Sequence, residues 1–188
     1  MRQKYLKYII GIFSFSLFCW GVLSFTQFHE NISNSLEGIH YILFLKTRSS
    51  GFTGSSAIKR GDIVSIQGYE PNYVGKKPFA KRVLGLPGDL ILKAKNTVAI
   101  VPKTRVSKTL IPKDPMSKAA VSMASESVTL PLLEKTSQGK PLTPLSAGFV
   151  PEGYVFVAGD NLNSFDSRYE EFGLVPMEKI WGKAVFTW

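Results

Sequence analysis

Cysteine and histidine are nearly absent from this chain. One Cys and two His in 188 residues exclude a disulfide framework, and no metal-ligand spacing occurs anywhere. Acidic residues are also scarce: 14 Asp and Glu stand against 23 Lys and Arg, a formal charge of +9. Such a balance fits anionic lipid or nucleic acid. No basic run is interleaved with a stacking motif, so nucleic acid is not an expected partner. No glycine-rich phosphate loop leads from a strand into a helix, and no cofactor is implied. Internal repeats are missing too. What remains is a chain that is 44% hydrophobic and 12% aromatic. That is too apolar for disorder and fits one domain with an appendage.

The apolar residues are concentrated at one end. Met1 to Lys7 carries Arg2, Lys4 and Lys7 and no acid, and Tyr8 to Phe25 then holds 18 residues without a charge. Eighteen helical residues span ~27 Å at ~1.5 Å each, close to a hydrocarbon core of ~30 Å. A cleaved secretory signal has the same basic start, but a shorter apolar stretch and small residues before its cut site. Here Leu23, Phe25 and Phe28 are bulky where small residues would be needed. The reading is a cytoplasmic N-terminus at 1–7 and a retained transmembrane anchor at 8–27. Because the basic flank stays inside, 28–188 becomes an extracytoplasmic domain. The single thiol, Cys19, lies within the apolar run and is compatible with an oxidising compartment.

Beyond the anchor, 39–46, 61–67, 79–84, 90–92, 153–158 and 182–188 are short, rich in β-branched and aromatic residues, and set off by Gly and Pro. They read as strands. Between them, 93–148 carries nine Lys and Arg against three Asp and Glu, with many Ser, Thr and Pro. It reads as a variable lobe inserted into a mainly β domain, with a weak helical pattern over 117–135. Its charge suits anionic lipid or an acidic partner, and equally a solvated, loop-rich lobe.

Three islands carry polar chemistry. Residues 31–38 place Ser33 and Ser35 just past the anchor. Residues 79–89 place Phe79, Lys81 and Val83 on one face of a strand. A Lys with apolar neighbours loses hydration, and its pKa falls towards the range where it can accept a proton. Residues 159–169 form a polar turn after an apolar strand. Taken singly, these read as a helix cap, a surface Lys-Arg pair and a loop. His29 and His40 read as structural or surface residues.

Taken together, the islands resemble the type I signal peptidases, membrane-bound serine proteases. Lys81 to Asp89 (KRVLGLPGD) is similar to that family's lysine box. Gly153 to Asn161 followed by Ser164-x-Asp166-Ser167-Arg168 resembles its last box. Lys59 to Val64, Val175-Pro176 and Gly182-Lys183-Ala184 continue the likeness, whereas 93–148 lies outside it. The serine box departs from the common pattern Ser-Met-x-Pro-Thr. It is closer to the conjugative-transfer (TraF-type) branch, Asn-x-Thr-x-Ser-x-Pro-x-Gly-x-Tyr. Asn31, Ser33, Ser35 and Tyr41 fall in register, with Glu37 in place of Pro and Gly38 one position early.

The resemblance implies a signal-peptidase-like β domain and a serine–lysine dyad. Ser35 would be the nucleophile and Lys81 the neutral general base. Ser33 would donate to the oxyanion, Ser164 would orient the lysine, and Asp166 with Arg168 would form a structural ion pair. No metal or cofactor enters such a mechanism. The implied partners are the lipid bilayer and a membrane precursor, with a pilin favoured, processed at the surface of a bacterial inner membrane. Cyclisation of that pilin is a further option. General secretion and an inactive, membrane-anchored binding module of the same fold are the alternatives.

Overall fold

The uncharged N-terminal stretch forms one helix, α1 (Arg2–Phe25), of 24 residues. In this computed structural model the described residues are 2–31, 35–47, 58–105 and 127–188, without the side chains of 2–7, Ile9 and Arg105. Ile12, Phe13, Phe15, Phe18, Trp20 and Leu23 all project outward, so α1 contributes little to a core. Among the described residues no helix is long and apolar enough to cross a membrane. The helix ends at Phe25. Thr26 and Gln27, assigned above to the anchor, instead open a strand, β1 (Thr26–Glu30), which pairs antiparallel with β2 (Tyr41–Lys46).

The remaining strands are β3 (Ile63–Ile66), β4 (Phe79–Gly85), β5 (Leu90–Ala94), β6 (Thr97–Val101), β7 (Val128–Pro131), β8 (Gly148–Phe149), β9 (Tyr154–Ala158), β10 (Val175–Pro176) and β11 (Ile180–Thr187). They form a seven-stranded sheet in the order β1-β2-β11-β3-β4-β9-β10 and a four-stranded sheet in the order β7-β6-β5-β8. Every pairing is antiparallel. The mainly β expectation holds. The sequence reading differs inside 93–148, which supplies β6, β7 and β8 and therefore most of the second sheet. Of the segment with a helical pattern, 117–126 lies outside the described residues, while Val128–Pro131 is strand. Cross-strand pairing with Thr97–Ile100 overrides the weak local pattern there.

The period of two along β9 joins the sheets. Val155 and Val157 enter one core with Val64, Ile66, Val83 and Phe172. Phe156 and Ala158 enter a second with Ile91, Val98 and Ile100. A strand buried on both faces must read as a continuous apolar run, as 155–158 does. A third cluster of Leu36, Ile42, Phe44, Ile63 and Ala80 packs under the segment that carries Ser35.

Candidate active site

Strand β4 sets the position of Lys81. Phe79 and Val83, two residues to either side, belong to the apolar core, so the alternation of the strand delivers the lysine into the same surroundings. Lys81 is only 5% exposed. Its Nζ donates to Ser164 Oγ at 2.5 Å, and among the described residues it has no ion-pair partner. Burial therefore dominates and lowers its pKa from 10.5 to about 8. The Asp166 and Asp160 carboxylates pull upward and the Arg168 guanidinium pulls downward.

Ser35 is equally buried, and its hydroxyl donates to the Ala80 carbonyl at 3.3 Å, one residue before Lys81. It makes no direct hydrogen bond to Lys81. Both residues line one cleft of about 480 Å³, together with His29, Val74, Pro78 and Phe79. Asn31 closes the serine segment: its Nδ2 donates to the Leu36 and Ile39 carbonyls, both at 2.8 Å. Glu37, in the place of the expected Pro, is exposed, and Gly38 turns the chain at φ +69°. Ser33, the expected oxyanion donor, lies outside the described residues.

The turn after β9 brings the remaining residues together. The Ser35 carbonyl accepts the backbone N–H of Asp160 at 2.6 Å and of Asn161 at 3.3 Å. Gly159 has no room for a side chain. A Cβ there would collide with Ser164 Oγ and come within 2.6 Å of both Ser164 Cβ and the Ser35 carbonyl oxygen. Asp166 and Arg168 are both fully buried and paired at 2.8 Å. Asp166 also accepts the Gly159 N–H at 3.0 Å, and Arg168 Nη2 donates to the Ser164 carbonyl at 2.8 Å. The pair thus holds the loop from both ends and lies behind the Lys81–Ser164 contact.

Sequence reasoning missed three contributors. Gly159 and Asp160 stand inside the quoted box, yet nothing local marks Gly159 as a steric gap. Asp160 forms a bidentate pair with Arg82, at 2.9 and 2.7 Å, across a separation of 78 residues. His29, read above as a structural or surface residue, also lines the cleft and packs edge-on against Phe44, and partial burial lowers its pKa. Among the described residues no cluster of His, Cys, Asp or Glu could hold a metal ion.

The chain is 31% identical over 142 residues to a signal peptidase I of Pseudomonas aeruginosa, covering 69% of this chain and 49% of that protein. It is 33% identical over 130 residues to a signal peptidase I of Bacillus licheniformis, covering 69% and 58%. A shorter match, 44% over 50 residues, joins it to a probable conjugal transfer protein TraF of Sinorhizobium fredii and covers 27% of this chain and 26% of that protein. The chain spans about half the length of the signal peptidases it matches. The family model described as signal peptidase, peptidase S26, matches residues 2–188, and the chain belongs to that family.

Proposed function

We propose that this protein is a membrane-anchored serine endopeptidase that removes leader segments from exported precursors at the membrane surface. The observation that carries the reading is Lys81: a buried amine with no ion-pair partner among the described residues, bonded to Ser164 and sharing a cleft with the buried Ser35. A lysine with a pKa near 8 has a substantial neutral fraction at working pH. In the reaction the Ser35 oxygen bonds to the scissile carbonyl carbon as its proton passes to Lys81 Nζ. The resulting ammonium gives that proton to the departing amine as the peptide C–N bond breaks, leaving an ester on Ser35. Water, deprotonated by the regenerated amine, then cleaves the ester. Ser33 donates to the oxyanion in this scheme, a contact worth ~2.7–4 kcal/mol.

Helix α1 is the proposed anchor. Its 24 residues reach about 36 Å at ~1.5 Å per residue, and Tyr8 to Phe25 carries no charge. A helix that is apolar on every side suits lipid better than water. Only nine residues separate Phe25 from Ser35, which keeps the cleft at the membrane face. The N-terminus is cytoplasmic and 28–188 extracytoplasmic, in a bacterial inner membrane.

The favoured precursor is a pilin of a conjugative system. The TraF-type register of Asn31, Ser33, Ser35 and Tyr41 supports this, together with the local match to a conjugal transfer protein. The longer match to signal peptidase I favours general secretion as the second reading. With a pilin cut instead near its C-terminus, the departing segment leaves as the amine and the ester on Ser35 holds the pilin's new C-terminal carbonyl. The pilin's own N-terminal amine can then displace Ser35 in place of water, and a held amine gives a cyclic product. Incubating the detergent-solubilised protein with a membrane precursor tests the activity, with a Ser35-dependent loss of mass expected. No cleavage, or cleavage that survives Ser35→Ala, overturns the reading. A cyclic pilin weighs one water less than the linear form.

A further inference from the structure

Tyr73 is the only non-glycine among the described residues with a positive φ, at +76°. A bulky aromatic in the left-handed region is a genuine outlier, held only where its surroundings over-determine it. Those surroundings come from two directions. On one side stands the inserted lobe. The Tyr73 hydroxyl donates to the Pro141 carbonyl at 3.2 Å, and Lys140 Nζ lies 4.9 Å from the centre of the ring. That part of the lobe is itself closed by a bridge between Lys135 and Pro141 and by the Leu142 N–H on the Glu134 carbonyl. On the other side, the Tyr73 ring packs at 6.1 Å against Phe165, the residue after Ser164. Phe165 in turn meets Phe172 edge-on, and Phe172 meets Phe79 of the cleft wall.

The residue after Tyr73 is Val74, which lines the cleft together with Lys77, Pro78 and Phe79. A strained tyrosine thus joins the lobe to residues that line the same cleft as Ser35 and Lys81. We propose that Tyr73 is a specificity-determining positioning residue, through which the inserted lobe sets how large a substrate side chain the cleft admits beside the scissile bond. The inference rests on the peptidase reading. Tyr73 touches no reacting group; it acts by holding Val74 and the 77–79 segment in place. Without the clamp, the backbone loses its reason to stay at φ +76°, and the wall can yield to a bulkier residue.

The test uses two precursors that differ only in the residue on the acyl side of the cut, Ala in one and Leu in the other. Glycine suits a φ of +76°, so Tyr73→Gly keeps the loop able to fold while removing the ring. It should raise kcat/KM for the Leu precursor relative to the Ala precursor by about tenfold, the scale of small size differences in an apolar pocket. Lys140→Ala should shift the ratio in the same direction by less. Proportional changes for both precursors mean a merely structural role and overturn the proposal. Amide hydrogen exchange, which needs no turnover, gives the second arm. Lys140→Ala should speed exchange in 72–79 and leave β9 as protected as before. Unchanged exchange in 72–79 overturns the coupling even in a fully active protein. A wild-type protein that cleaves neither precursor overturns the peptidase reading, and the specificity claim with it.

Discussion

The Ser35 carbonyl accepts the backbone N–H of Asp160 at 2.6 Å, which ties the serine segment to the turn that carries Ser164. Gly159 lies in the gap between them. Substituting it must push the Ser164 side chain and the Ser35 carbonyl apart, and that backbone carbonyl cannot give way cheaply. Gly159→Ala should therefore lower kcat by about 10²-fold, the cost of misplacing reacting groups by ~1 Å. Comparing kcat with the thermal midpoint checks this; full activity in a folded variant would contradict the packing.

Lys81 predicts the shape of the pH profile. Below about 8 the amine is protonated and cannot accept the serine proton, so kcat should rise with pH and level off above that value. Lys81→Arg should be inactive at every pH, because a guanidinium stays protonated. The same residue makes stability depend on pH. Its folded pKa lies below its unfolded one, so between about 8 and 10.5 the unfolded chain binds more protons and stability rises with pH. Lys81→Met removes the buried ammonium and should melt at a higher temperature than the wild type at pH 6. A flat pH–rate curve would remove Lys81 as the base.

Ser33 and Ser35 are separated by their mutant series. Ser35→Ala should abolish both turnover and acyl-enzyme. Ser33→Ala should lower kcat by ~10²–10³ and still acylate, because only transition-state charge stabilisation is lost. Ser33→Thr keeps the hydroxyl and should retain much of the rate. The reverse pattern would shift the register by two residues.

Arg168 is buried and paired with the equally buried Asp166. Without it Asp166 would be left charged and buried, a loss of about 3–5 kcal/mol. Arg168→Ala should lower the midpoint of urea unfolding accordingly and release the Ser164 carbonyl. A midpoint close to that of the wild type would show that the pair contributes little.

The proposed topology predicts that protease added to intact spheroplasts degrades 28–188. Protection until the membrane is lysed would reverse the orientation.

Much of this was legible in order along the chain. The uncharged run of 8–25, the period of two that puts Phe79, Lys81 and Val83 on one face, and the double-sided apolar run of 155–158 are local signals. Hydrophobic periodicity is local because it reflects which face of one element meets water. Lys81 could be read as a desolvated amine for that reason alone. By itself, however, each polar island stayed ambiguous.

What only the tertiary structure decided is who meets whom. Lys81 reaches Ser164 across 83 residues, and Arg82 reaches Asp160 across 78. Those contacts depend on β4 pairing with β9 and on the turn that follows. The steric gap at Gly159 and the strained backbone at Tyr73 have no sequence signal, because each is defined by atoms brought from elsewhere in the chain. The inserted lobe shows the same division. Its composition reads as a variable, loop-rich lobe, yet β6 and β7 pair, and Val98 and Ile100 of β6 are buried with Phe156 and Ala158 of β9, since strand pairing rewards a partner that no local window contains.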